Sequence, residues 1–546
     1  MGETEKTPIR FESCQSLDNA GVLLMVPFLL QNGLLSYKKF YQPFQKVYYD
    51  LDFIILLLSF MFLCRIKNVS QLKGVNSGEL GKLLGVDRIP EAKCFYQKLS
   101  DITKQNKAME WNKDLAKTWI EKDDTMIYYI DGHVQVYHGY KALLGKKHVS
   151  RQRLCLPGVI QYWINNMEGM PYLYVNGEVN EKLQEILDSK IVPLLKDELA
   201  QKVDQTLLDT DKDLPLFTIV FDREAYSPAF FNKLWDTSRV AVITYRKNVS
   251  DLWDMNDFHT EKVTVDGDEI AMDLCEKEVV INDVPLREIR KIRMNGKQTS
   301  VITTNKKLSI ILVAVYMFAR WSQENFFRYM RQEYDIDRLY QSIVTNVDSA
   351  IDVVNPQHSK LSYKLRKLRE KKVRVQANLY KLQEKNIKEP LKKTGGNVRK
   401  LMENEEYLSN LITEENALVA ERKQHSYKIK IKDIPEEFRY TKIVGECKHV
   451  MSIIKMICYR AETSFINLIP AIFRKKTTER RAFAKNSIQM KGDIIPDYDK
   501  NTLTVKLYTM STPRENCALK EIMEIANNSF TKFPGTDLVL KYEFAT

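Results

Sequence analysis

The first hundred residues are patterned in solid apolar stretches rather than alternating ones. Residues 15 to about 115 read as all-helical: GVLLMVPFLLQNGLL and the run Phe53–Cys64 are the pattern of helices buried within a fold. GELGKLLGVDRIPEAKCFYQKLSDI then predicts a helix from Glu79 to Leu84, a turn at Gly85–Arg88 and a second helix opened by Pro90. Two short helices about a Gly-containing turn outline a helix-turn-helix, with Lys93 and Lys98 on the second helix placed for DNA. The same spacing also arises from plain helical packing.

From Thr125 the period shortens to that of strands. TMIYYIDGHVQVYHGY puts Asp131 directly after a short apolar strand, with DGH as a turn into a second strand. PGVIQYWINNMEGMPYLYVNGEV is further strand material, and Glu181–Leu199 is an amphipathic helix. LPLFTIVFDREAYSPAFFNKLW ends a second buried strand, Leu216–Phe221, on Asp222, and RVAVITYRK is the next strand. Alternating segments over 249–305 predict an antiparallel β insertion ahead of a helix from Leu308 to Tyr340. This middle region is α/β.

Beyond Asn355–Pro356, Leu361, Leu365, Leu368, Val375, Leu379 and Leu382 keep a coiled-coil spacing in which Lys372 is the one lapse. Pro390 and Gly395–Gly396 break the pattern, and Leu401, Leu408, Leu411 and Leu418 predict a return helix. The first arm of that hairpin is strongly basic, which suits a solvated face, a dimer contact or an arm along DNA. A second basic cluster, FRKKTTERRAFAK, spans 473–485, and the last fifty or so residues alternate strand, helix and strand. The expected organisation is a helical region over 1–118, an α/β domain over 119–350, a coiled-coil hairpin over 355–428 and a helical and small α+β region over 429–546.

Composition narrows the classes. A 546-residue chain with 44% hydrophobic and 28% charged residues is that of a folded protein of three or four domains. Its net charge of +12 favours a polyanionic partner. Eight scattered cysteines without a CxxC pair argue against a disulfide framework and a zinc site, and fit a reducing compartment. The two long apolar runs, Phe53–Cys64 and Leu308–Ala319, are about twelve residues each, too short to cross a bilayer, and the N-terminus is not a signal peptide, so no membrane partner is expected.

The chemistry gathers on three carboxylates. Asp131 and Asp222 sit at or just after apolar strands, where a side chain projects from a rigid element into the crevice at the sheet edge. On the Leu308–Tyr340 helix, Arg320, Glu324 and Arg328 fall at i, i+4 and i+8, with Arg331 one turn on. Arg320 and Glu324 alone read equally as a surface ion pair. Taken with the aspartates, Glu324 completes the ligand set of a two-metal phosphoryl-transfer site, whose hard oxygens select two Mg²⁺ or Mn²⁺ ions. No organic cofactor is expected.

IVFD at 219–222, YYID at 128–131 and ARWSQENFFRYMR at 319–331 together resemble the DDE transposases of bacterial insertion sequences. Relatives with a tyrosine–arginine–glutamate–lysine signature place the glutamate four after the arginine and the basic residue seven after the glutamate. Arg320, Glu324 and Arg331 keep both spacings, with arginine for lysine, while Tyr316 lies one residue early. The resemblance covers roughly 125–345 and implies an RNase H-like mixed sheet flanked by helices. It further implies Asp131, Asp222 and Glu324 as metal ligands, with Arg320, Arg328 and Arg331 holding phosphates. Trp321 would stack on a displaced base or face the core; Arg246 and Lys247 would touch the DNA backbone or form a solvated rim. The implied protein is a homodimeric, cytoplasmic, nucleoid-associated enzyme that binds double-stranded transposon ends, cleaves them and joins them to target DNA. An RNase H-like nuclease without strand transfer and a catalytically silent DNA-binding descendant are the alternatives.

Overall fold

A mixed ten-stranded sheet carries the middle of the chain, running Lys146–Val149, Leu154–Asn165, Ile127–Val136, Phe217–Phe221, Val240–Tyr245, Gln298–Thr303, Val284–Ile292, Asp268–Ile281 and His259–Val265. Pro171–Asn176 also pairs with Leu154–Asn165. This computed structural model describes residues 8–545 except 45–47, 150, 179–180, 201–202, 266–267, 340–343, 349, 389–393, 437–438, 444 and 470–476. Tyr340, Pro390 and the start of the 473–485 basic cluster therefore lie outside the described residues.

Register sets the two aspartates side by side. Ile127–Val136 runs parallel to Phe217–Phe221 with Ile130 opposite Phe221, so the next residue on each strand is an aspartate. Side chains alternate along a strand. Ile127, Tyr129, Val220 and Ile243 pack against Ile311, Val313 and Met317 on one face of the sheet, and Asp131 and Asp222 follow by two residues on that same face. DGH is not a turn, contrary to expectation. The strand continues through it to Val136, pairing antiparallel with Leu154–Asn165. Gly132 is there for space: a Cβ would stand 3.0 Å from the Tyr162 ring and 3.1 Å from Ile160.

The expected single helix over 308–340 is two. Ile310–Ala319 is apolar and covers the sheet, Arg320 forms the joint (φ −50°, ψ −24°), and Trp321–Tyr334 continues beyond it. Gln323, fully buried, fastens the second helix to the sheet by donating to Asn165 Oδ1 at 2.8 Å. Ser322 Oγ donates to the Met167 carbonyl at 2.5 Å. Gly169, at φ +82°, lets the Asn165–Pro171 turn pass against this helix, where a Cβ would lie 2.7 Å from the Ser322 carbonyl oxygen.

The far end of Trp321–Tyr334 is held by a helix that the sequence did not advertise, Glu446–Asn467, buried along almost its whole length. Lys448 donates to the Ile336 carbonyl, and Lys455 to the Asp335 carbonyl at 3.1 Å. Both carbonyls belong to the turn just past Tyr334, so the two lysines pin the segment that leaves the helix. Burial pushes the Lys448 ammonium down to about 8 and that of Lys455 well down. Tyr329 donates to Glu462 at 2.8 Å, and Glu462 also receives Arg65 at 2.6 Å and Arg481 at 3.4 Å.

The termini interleave. Cys14–Leu17 pairs with Gly492–Asp497 in a second sheet whose last two strands, Thr502–Leu507 and Val539–Phe544, are parallel and joined by the helix Pro513–Asn528. One apolar core runs from Phe11 through Phe53 and Met451 to Leu540, so the expected boundary at 118 is crossed by shared packing. The helix-turn-helix outline also takes another form: Ser77–Lys82 is short, and Ala92–Lys104 packs on Glu446–Asn467 and Leu51–Leu63. Pro356–Lys388 and Thr394–Lys423 form the helical hairpin, with Gly395 and Gly396 inside the second helix rather than in the break. The Lys372 lapse is answered across the seam by Glu415, 2.5 Å away and also 2.7 Å from Arg369.

Two outcomes follow from this packing. Gly169→Ala should lower unfolding stability by about 1–3 kcal/mol through its left-handed backbone and the clash with Ser322, measured by chemical denaturation; an unchanged midpoint contradicts it. Glu415→Ala leaves Lys372 unpaired and should speed amide exchange across the hairpin, whereas Lys372→Leu with Glu415→Leu should slow it, because an apolar pair at a seam needs no desolvation of charge.

Candidate active site

Arg320 sits at the helix joint and its guanidinium reaches all three predicted carboxylates. It lies 3.0 Å from Glu324, 3.5 Å from Asp222 and 3.6 Å from Asp131. Two adjacent strands supply the aspartates and the helix supplies the glutamate, so residues nearly two hundred positions apart share one cation. The guanidinium is 11% exposed, while Asp222 and Glu324 are about half exposed at 48% and 53%. Asp222 also accepts from the Arg223 amide at 2.7 Å, which fixes its carboxylate as the cap of the turn after the strand.

One positive charge faces three negative ones, which leaves the cluster under-neutralised. Burial, with help from Asp222 and Glu224 and against the pull of Arg320 and the Gly132 amide, pushes the Asp131 carboxyl up to about 6. Glu224, which no motif singled out, accepts from the Tyr162 hydroxyl at 3.4 Å and is likewise raised by burial. An acid two residues after Asp222 on the same turn was the available signal for it. A cation brought to this cluster would relieve repulsion that Arg320 only partly offsets. The donors are carboxylate oxygens, which suits Mg²⁺ or Mn²⁺. Among the described residues no three acidic, histidine or cysteine side chains close on a single point; the guanidinium occupies the space between them.

These side chains open onto a cavity of about 750 Å³. Trp321, Arg328, Arg331, Arg151, Lys147 and Lys182 line its remaining walls. Trp321 is 64% exposed and does not face the core. Arg328, on the cavity wall, donates to Asn325 at 2.8 Å. Arg331 is half-buried, and burial beside Arg151 lowers its guanidinium from the ordinary value. His133, also on the cavity wall, is buried, stacked on Phe327 at 4.7 Å and hydrogen-bonded to Asp337, which Arg151 holds at 2.6 Å.

The other expected DNA contacts lie elsewhere. Arg246 is bound to buried Glu288, which Arg290 also engages at 2.6 Å, and it does not line the cavity. Lys247 stands over the Tyr226 ring at 5.6 Å. Lys93 is exposed on Ala92–Lys104, and Lys98 lies over Phe44 at 5.0 Å; neither lines the cavity. Every described cysteine is free, and no described helix is long and apolar enough to cross a membrane.

No curated protein matches the chain. A piggyBac transposase, solved by cryo-EM as a synaptic complex with hairpin DNA, aligns at 8% identity over 57% of this chain and 65% of its own, with a TM-score of 0.29. That alignment spans less than two thirds of the piggyBac chain, and likeness at this level carries no argument. The model of the family described as transposase protein matches residues 1–546, and the chain belongs to that family.

Proposed function

We propose that this protein is a DNA transposase that binds the terminal repeats of its element, cleaves at the ends and transfers the freed 3′ ends to target DNA. The observation that carries the reading is the meeting of Asp131, Asp222 and Glu324 around one guanidinium in a cavity walled by arginine and tryptophan. The sheet supports an RNase H-like assignment: Pro171–Asn176, Leu154–Asn165, Ile127–Val136, Phe217–Phe221 and Val240–Tyr245 follow one another across it, and the last three are parallel. The ordered carboxylates and the strands inserted before the glutamate favour the DDE type of insertion-sequence enzymes.

Asp131, Asp222 and Glu324 would hold two Mg²⁺ ions, with Asp131 as the ligand common to both. Bound there, the pair of ions supplies Lewis acidity at the scissile phosphate and charge stabilisation for in-line displacement. Arg328 and Arg331 present forked donors suited to flanking phosphates. Trp321 offers an open ring for an unpaired base, a contact worth about 1–3 kcal/mol. Gln323 and the buried lysines of Glu446–Asn467 hold the helix that positions Glu324. Cutting both ends of an element requires two such sites, which a homodimer supplies.

Asp222→Ala should still shift an end-sequence duplex on a gel, yet its nicking and joining should fall by about three orders of magnitude, the scale of losing a catalytic carboxylate. Strand transfer persisting in that variant would overturn the assignment. Precleaved ends that wild type hydrolyses but never joins to a plasmid would point to a nuclease instead. Acidity provides a second check. Protons compete with cations for Asp131, so apparent Mg²⁺ affinity, read by titration calorimetry, should drop as the pH falls through about 6. A flat profile between pH 5 and 8 on the order of experimental error contradicts Asp131 as a ligand.

A further inference from the structure

The first helix of the hairpin repeats its cations in the period of its seam. Leu361, Leu365, Leu368, Val375 and Leu379 are buried and keep steps of four and three, with Lys372 at the position between. Lys360, Lys364, Lys367, Lys371, Arg374 and Lys381 advance in the same steps, Asn378 fills the one remaining position, and all seven are exposed. Because both sets share a period of about 3.5 residues, the cations form a straight stripe parallel to the seam instead of winding around the helix. From Lys360 to Lys381 the stripe is about 32 Å long at a rise of ~1.5 Å per residue. Among the described residues no ion pair reaches Lys360, Lys364, Lys371, Arg374 or Lys381, and Lys367 meets Glu370 at 3.3 Å.

The second helix does not cancel this charge. Residues 356–423 hold seventeen Lys and Arg against nine Glu, which is eight of the chain's net twelve positive charges. Glu403 is paired with Arg399 at 3.0 Å, and Glu415 with Arg369 and Lys372. Glu405, Glu406, Glu414 and Glu421 are the exposed acids that remain on that helix. Solubility alone asks for no alignment, since scattered lysines hydrate a surface equally well.

We propose that the stripe is a DNA-backbone contact, along which the first helix holds the phosphates of a duplex without reading its sequence. A polyanion of evenly repeated charge is the partner that an evenly repeated row of cations fits. Duplex DNA carries one negative charge per ~1.7 Å of axis and turns once in about 34 Å. A stripe of about 32 Å therefore faces nearly one whole turn and meets backbone on both sides of a groove. Five of the six cations are lysines, which bind phosphate as point charges. None of them lines the carboxylate cavity, so this contact is separate from those made by Arg328 and Arg331. The proposal rests on the reading of the chain as a DNA transposase and adds to it a second, sequence-independent hold on the substrate.

The test is fluorescence anisotropy of the full chain with a labelled duplex of arbitrary sequence, without Mg²⁺, between about 50 and 200 mM salt. Each phosphate contact adds about 0.9 to the slope of log affinity against log salt. Lys364→Gln/Lys367→Gln/Lys371→Gln/Arg374→Gln should flatten that slope by about 3.6 and weaken binding at the low-salt end by a hundredfold or more. Lys364→Arg/Lys367→Arg/Lys371→Arg preserves the charge and should preserve the slope. All four positions are exposed, and circular dichroism checks that the helices of each variant stay formed. A glutamine variant with wild-type slope and affinity overturns the proposal and leaves the stripe to solvent or to an acidic protein. Equal flattening in the arginine variant overturns it too, because the loss then follows the helix and not its charge. A wild type that binds no duplex at any of these salt concentrations overturns the transposase reading along with it.

Discussion

Three carboxylates around one guanidinium is an arrangement that a fold has to support from several directions, because the acids repel one another and Arg320 offsets only part of their charge. Each part of the surrounding structure bears on that balance. Parallel pairing of Ile127–Val136 with Phe217–Phe221 brings Asp131 and Asp222 to neighbouring positions on one face. The joint at Arg320 turns the following helix so that Glu324 comes back to the same guanidinium. Without the cation at that joint, three negative groups would stand in a partly desolvated crevice, and proton uptake by Asp131 would be the easiest relief.

The helix bearing Glu324 is restrained at both ends, and the restraints differ in kind. At its start, Gln323 hydrogen-bonds to Asn165 and the Gly169 turn permits contact at van der Waals distance. At its end, Lys448 and Lys455 reach out of a buried helix to the carbonyls of the turn just beyond it, and Tyr329 joins the Arg65–Glu462–Arg481 network. Burying lysines is costly unless their charge meets oxygen. Here the same contacts that satisfy them fix the end of the helix bearing Glu324, which couples the N-terminal and C-terminal helices to a candidate site neither of them touches.

Much of the site was legible because its signals are local. Apolar runs ending in Asp222 and passing through Asp131, and the four-residue step from Arg320 to Glu324, follow directly from strand and helix periodicity. The hairpin seam was equally plain, and the lapse at Lys372 became intelligible only once Glu415 was seen opposite. Other features depend on contacts remote in the chain. Nothing near Cys14 announces a strand partner at Ile494, and Lys448, Lys455, Arg460 and Glu462 disguise Glu446–Asn467 as a solvated helix although it is core. Propensity also misled at DGH, which continues the strand with Gly132 packed close against the Tyr162 ring, and nothing near Arg246 announced its partner Glu288.

The most direct test of the account is the number of Mn²⁺ ions bound per chain, counted by electron paramagnetic resonance in wild type and in Glu324→Ala. Glu324 is half exposed on a helix held by other residues, so its loss should leave the fold standing. The account predicts two ions in wild type and one in the variant, the remaining ion kept by Asp131 and Asp222. Equal occupancy in the two proteins, or none in either, would contradict it.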